Sequence, residues 1–156
     1  MYIKRHYDIS AIPTVYKGIK FRSRLEVMWA VFFDELGYNW KYEYKSYKLP
    51  SGWYLPDFYF PSLKVFAEVK PNKLTSFERL KCIELSMMFI DVPILLLVGV
   101  PTLSTIKTIM NGADSHELVP MPVCNKYYPF FYCYDFDANY FDETTTAIFK
   151  AIDYEF

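Results

Sequence analysis

Three side chains in a short stretch have the types and spacing for phosphoryl chemistry. Asp57 closes the run Tyr54-Leu55-Pro56-Asp57, and eleven positions later comes Glu68-Val69-Lys70. On a β-strand, residues two apart share a face and lie about 6.5 Å from each other, so Glu68 and Lys70 project together. Phe66 is the apolar member of that face. If the preceding strand returns antiparallel through the turn near Pro61, Asp57 lies beside them. Two carboxylates and an ammonium then meet at one point.

Hydrolysis of a phosphodiester uses such a set. Carboxylate oxygens bind Mg²⁺ and leave positions for phosphate oxygen and water. The cation offsets charge that builds in the transition state and acidifies its water. A lysine orients or deprotonates that water and stabilises the developing charge. Each piece alone has an ordinary explanation: Glu-x-Lys on a strand is commonly an exposed ion pair, and Pro-Asp commonly a turn.

The elements that must position these residues are readable on either side. Leu25, Met28, Trp29, Phe32 and Leu36 keep helical spacing, predicting a helix over 23–36 with Gly37 as its stop. Trp40, Tyr42 and Tyr44 alternate with Lys41, Glu43 and Lys45, as a half-buried strand does. Aromatic and basic residues so interleaved also suit a platform for a single nucleic-acid strand, but the inward-facing strand is the favoured reading. Strands are expected over 53–60 and 64–70, then a helix over 76–90 capped by Thr75 or Ser76. The unalternating run 93–99 predicts a strand covered on both faces. Beyond Pro101 the pattern weakens: a short helix over 103–110, edge strands or ordered loop over 119–134, and a terminal helix over 145–152. The fold class expected is α/β (α+β), a central mixed sheet flanked by helices in the order αβββαβ.

In the stretch that precedes and includes the signature, Arg22-Ser23-Arg24-Leu25-Glu26, Tyr54-Leu55-Pro56-Asp57-Phe58 and Glu68-Val69-Lys70, with the element order above, the chain resembles the PD-(D/E)XK nuclease superfamily over about 16–100. It is most similar to the small endonucleases carried by phages and transposons. The resemblance implies a restriction-endonuclease-like core and Mg²⁺- or Mn²⁺-dependent cleavage of DNA. It implies Asp57 and Glu68 as metal ligands, the Val69 carbonyl as a further ligand, and Lys70 as catalytic lysine. Glu26 has two readings. Ser23 and Glu26 form a capping box, whereas in the resembling families a glutamate here enters the site and helps hold metal; the catalytic role is favoured. Lys17, Lys20, Arg22 and Arg24 sit where a phosphate backbone can be gripped, and Lys73 follows the signature strand. Lys73, Lys81 and Glu84 lie where several relatives place an assisting polar residue, and nothing selects among them.

Composition frames this reading. The chain has 156 residues with 17 Lys+Arg and 18 Asp+Glu, a net charge of −1, and 53% hydrophobic residues, so it is expected to form a single domain with a real core. Near-neutrality hides a division. Residues 1–81 carry 14 basic and 8 acidic side chains, and residues 82–156 carry 3 and 10. The basic part holds the acid–lysine set and can meet a polyanion. Three cysteines far apart and two histidines disfavour a disulfide framework or structural zinc and suit a reducing cytoplasm. The N-terminal residues lack an apolar signal core, and the run Val92–Val100 is nine residues with Pro93 inside, so no membrane partner is expected. The expected partners are DNA and a second copy of the chain, as homodimer or larger homo-oligomer, with the acidic aromatic part over 101–156 outside the resemblance. A non-catalytic nucleic-acid-binding module, or one that engages a host protein, is the alternative.

Overall fold

The computed structural model describes residues 11–102, 106–115, 117, 119–120, 130–131 and 138–156, with backbone alone for 119–120, 130–131 and 138–143. Strands β1 (Thr14–Tyr16) and β2 (Ile19–Phe21) form a hairpin in which Tyr16 faces Ile19. Its two loop residues, Lys17 and Gly18, have φ of 48° and 76°, the left-handed pair of a type I′ turn.

Helix α1 (Arg24–Glu35) begins at Ser23, whose hydroxyl accepts the Glu26 N–H at 3.2 Å. It ends in a Schellman motif: Tyr38 N–H donates to Phe33 O at 2.9 Å and Gly37 N–H to Asp34 O at 3.0 Å. Gly37, at φ 81°, is the left-handed residue this motif requires. The Phe33 and Tyr38 rings meet edge to face across it, 5.9 Å between centroids. The spacing predicts one apolar stripe, but Leu25 through Phe33 are all buried. An apolar residue on every side is what a helix enclosed by other elements carries.

Next come β3 (Lys41–Tyr42), a hairpin of β4 (Tyr47–Leu49) and β5 (Gly52–Tyr54), then β6 (Phe58–Phe60) and β7 (Val65–Lys70). The expected single strand over 53–60 is therefore two strands in different sheets. Pro56 has no N–H to give a ladder, and the chain leaves β5 there before joining β6. Likewise only Lys41–Tyr42 of the alternating aromatic run joins the main sheet, because Glu43 turns to φ 45°.

Helix α2 (Ser76–Met88) carries a full capping box: Thr75 Oγ1 accepts Glu78 N–H at 3.2 Å and Glu78 Oε2 accepts Thr75 N–H at 2.8 Å. Strand β8 (Ile94–Val98) follows, parallel to β7. The helix expected over 103–110 is not formed by its described residues. Lys107–Met110 is strand β9, turning through Asn111-Gly112 into β10 (Ala113–Asp114). That dipeptide, with φ of 54° and 82°, is the type I′ hairpin signal, and it outweighs a weak helical period. Beyond it, β11 (Val119–Pro120) pairs with β12 (Phe130–Phe131), and α3 spans Ala138–Ile152. The rest of the aromatic stretch expected over 127–137 lies outside the described residues.

The main sheet has six strands in the order β10-β9-β8-β7-β6-β3, with only β7 and β8 parallel. The molecule is thus a mixed α+β protein with a central mixed sheet and helices on both faces. On one face, α1 packs against Phe58, Phe60, Val65, Ala67, Val69, Leu95 and Leu97, and Ala147, Ile148 and Ala151 of α3 join the same cluster. On the other face, α2 contributes Cys82 and Leu85 to a smaller cluster with Phe66, Ile94, Leu96 and Ile109. Among the described residues no helix is long and apolar enough to cross a membrane.

Candidate active site

The ladder between β6 and β7 decides where the carboxylates stand. Phe58 lies opposite Ala67, which puts Asp57 across from Glu68, one step past the last paired residue. In a strand, a residue's N–H and C=O point to the same edge. Val65, Ala67 and Val69 point toward β6, but β6 has begun only at Phe58, so Val69 finds no backbone partner there. The Asp57 side chain takes that place: its Oδ2 accepts Val69 N–H at 2.7 Å. The Val69 carbonyl opens on the same edge, beside Asp57.

Glu68 and Lys70 point to the α2 side. Lys70 Nζ lies 3.1 Å from Glu68 Oε1 and 3.2 Å from Glu78 Oε1. The Tyr54 hydroxyl donates to Glu68 Oε2 at 2.5 Å and sits 3.7 Å from the Cys82 sulfur. Glu26 comes from the first turn of α1. Its Oε2 accepts Tyr42 O–H at 2.6 Å and Arg22 N–H at 3.0 Å. Only half of the predicted capping box forms there, since the Ser23 hydroxyl takes Glu26 N–H while the Glu26 carboxylate turns to Tyr42 and Arg22. Arg22 Nη2 is 3.3 Å from Asp57 Oδ1 and is also ion-paired with Glu43.

Glu26, Asp57, Glu68, Val69 and Lys70 line one cavity of about 500 Å³, together with Arg22. The three acids are almost inaccessible, at 8%, 4% and 6% exposure. Such burial is costly for like charges. It pushes the Asp57 carboxyl well above the usual range, and the Glu68 charge pushes it further than the Val69 N–H can bring it back. Burial raises Glu68 too, against the pull of Tyr54 and Lys70. Burial alone would lower the Lys70 ammonium, but Glu68, Glu78 and Asp57 outweigh it and hold it above its ordinary value. Burial and the Glu68 charge push the Cys82 thiol up to about 12, which leaves it inert.

An all-oxygen set short of positive charge is what a hard divalent cation relieves. Asp57 and Glu68 supply carboxylate oxygens of the kind such an ion takes. Glu26 is in the same cavity, but among the described residues no group of three or more His, Cys, Asp or Glu side chains is arranged to hold a metal.

The remaining sequence candidates are dispersed. Lys17 pairs with Asp34 at 2.8 Å, and Arg24 lies over the Phe156 ring, 5.2 Å from its centroid. Lys20 is exposed on β2 and does not line the cavity, and Lys73 borders a different cavity near Arg79 and Asp114. Of the three residues left open as assistants, Lys81 lines the site, whereas Glu84 accepts Ser51 O–H at 2.5 Å on the β4–β5 hairpin. Glu78, Tyr54 and Tyr42 were not anticipated in this role. The Thr75-x-x-Glu78 box could have pointed to Glu78, which lies where the capping carboxylate meets the end of β7. Nothing local signals the two tyrosines, because their contacts span 14 and 16 residues.

No family model matches this chain, and neither the curated proteins nor the solved structures searched contain a match.

Proposed function

We propose that this chain is a metal-dependent endonuclease that hydrolyses DNA phosphodiester bonds, built on a restriction-endonuclease-like core and encoded by a phage or other mobile element. The observation that carries this reading is the gathering of Asp57, Glu68, Lys70 and Glu26, from the turn before β6, strand β7 and helix α1, in one cavity. A protein that needed only stability would not bury three carboxylates there, since each costs free energy.

Asp57 and Glu68, with the Val69 carbonyl, would hold Mg²⁺ or Mn²⁺, which when bound would supply charge neutralisation at the phosphate and an acidified water. The protein's own groups then have defined tasks. Val69 N–H fixes the Asp57 carboxylate and Tyr54 fixes that of Glu68, so neither must reorganise when a phosphate arrives. Lys70, kept as an ammonium by three acids, orients a phosphate oxygen or water and offsets developing charge rather than removing a proton. Arg22 reaches the same cavity, while Tyr42 and the Arg22 N–H hold Glu26 in place. A second copy of the chain would be needed to cut both strands at one position.

The test is nicking of plasmid and single-stranded DNA by purified protein with Mg²⁺, with Mn²⁺ and with chelator. Divalent-dependent cleavage is expected, falling by about 10²- to 10³-fold in Lys70→Ala and to background in Glu68→Ala. Undiminished activity in both variants sinks the proposal. A second reading, a nucleic-acid-binding module without turnover, draws on one observation: Arg22 and Lys70 are already paired within the chain. DNA binding with no cleavage under any divalent cation would select it.

A further inference from the structure

Two large rings stand unexpectedly in water beside the buried acids. Trp53 on β5 is 67% exposed and Phe77 in the first turn of α2 is 56% exposed, yet both line the cavity that contains Asp57, Glu68 and Lys70. The Lys81 ammonium lies 4.8 Å from the Phe77 ring centroid and also lines that cavity. Among the described residues Lys81 has no carboxylate partner. Exposed rings next to a cation, at the opening of a site suited to phosphate, make the surface on which nucleobases stack. Leu80, Met87, Met88 and Ile90 are exposed as well, but none of them lines the cavity.

We propose that the cavity takes an unpaired DNA strand, with a base stacked on Trp53 or Phe77 while the adjoining phosphate faces Lys70. The identity of the polymer rests on the nuclease reading above; the preference for an unpaired strand rests on the rings. Inside a duplex the base faces are covered by their neighbours, so a ring at the cavity can reach one only where the strand is single, frayed or displaced. The acids are 4% to 8% exposed, so a phosphate must be brought into the cavity to meet them. A lone flexible strand does this more readily than a paired one. The aromatic run over 40–45 does not reach the acids: Trp40 donates to Asp34 at 2.9 Å, Tyr42 donates to Glu26, and Tyr44, 51% exposed with Lys41 4.4 Å from its ring centroid, does not line the cavity.

The experiment is a fluorescence titration of the full chain, in chelator, with an oligonucleotide of about 16 nucleotides and with its duplex. Trp29 is buried and Trp40 packs on Phe58 at 5.6 Å, so Trp53 is the tryptophan open to a base. Single strand is expected to quench emission and duplex much less, with the quench gone in Trp53→Phe. Anisotropy of a labelled strand should show affinity falling roughly 5- to 150-fold in Trp53→Ala and in Phe77→Ala. Equal affinity for duplex and single strand, or unchanged affinity in both alanine variants, overturns the inference, even if DNA is cleaved. Selective single-strand binding that depends on both rings, with no cleavage on adding Mg²⁺ or Mn²⁺, supports it and sinks the nuclease reading instead.

Discussion

The two faces of the central sheet do different work. Among the described residues the α1 face gathers 21 buried apolar side chains and the α2 face only 8. On the first face Phe33 alone meets Trp29, Phe32, Tyr38, Phe58 and Phe60 within 6 Å between ring centroids. On the second, β7 presents Phe66, Glu68 and Lys70, and α2 buries Cys82, Leu85 and Ser86 while leaving a line of apolar residues exposed. A thick aromatic layer on one side allows the other to carry buried charge. Strand β7 joins the two, since its odd residues enter the thick core and its even residues lead to the site.

That contrast can be broken most severely at Phe33. Phe33→Ala should cost about 3–5 kcal/mol in urea unfolding, through lost burial and an unfilled cavity. A cost below 1.5 kcal/mol would mean the α1 face is not the dominant core.

The acids should behave with the opposite sign. The Asp57 carboxyl is pushed up on folding, so the native state binds more protons than the unfolded state between the ordinary carboxylate range and its raised value. Stability from this group is therefore fully present below the ordinary range and lost as pH rises through the raised one. Asp57→Asn keeps an oxygen for Val69 N–H and removes the charge. It should raise stability near neutral pH by about 0.5–2 kcal/mol while abolishing the proposed cleavage, and the gain should shrink as pH falls toward 5. Melting curves from pH 5 to 8 in chelator check both parts; a variant less stable than wild type at every pH would refute the charge argument.

Thr75→Ala removes one side of the α2 capping box and should cost about 1 kcal/mol. It also loosens Glu78, so the same variant should reduce the hold on Lys70, readable as a changed pH profile of the proposed cleavage. The smallest effect belongs to Leu80, 41% exposed on α2. Leu80→Ala should stay within about 0.5 kcal/mol, and a larger loss would reveal packing on that face that the two clusters do not contain.

Local chemistry made much of this architecture legible. Ser23 and Gly37 bracket α1, Thr75 starts α2, and the alternation Val65, Ala67, Val69 against Phe66, Glu68, Lys70 assigned the faces of β7 from the pattern alone. Each rests on contacts within a few residues, where capping, periodicity and glycine conformation act. The break at Leu55-Pro56-Asp57 and the β9–β10 hairpin depart from the expected elements for different reasons. The aromatic neighbours of Pro56 favour an unbroken strand in the pattern, and the weak helical period over 103–110 competes with Asn111-Gly112, a strong local hairpin signal.

The meeting of the four site residues is another matter. Asp57 and Glu68 are close because Phe58 pairs with Ala67, and only the β6–β7 register sets that. A slip of one residue would turn Glu68 into the α1 core. Sequence spacing named Asp57, Glu68 and Lys70 as a set, and it also offered Lys17, Arg24 and Lys73, which the folded chain sends to Asp34, Phe156 and a second cavity. Types and spacing select which residues have suitable chemistry. Which of them share a cavity, which carboxylates are buried deeply enough to repel, and which tyrosine holds each one are set by long-range packing, because burial and hydrogen-bond partners belong to the assembled layers and not to any segment.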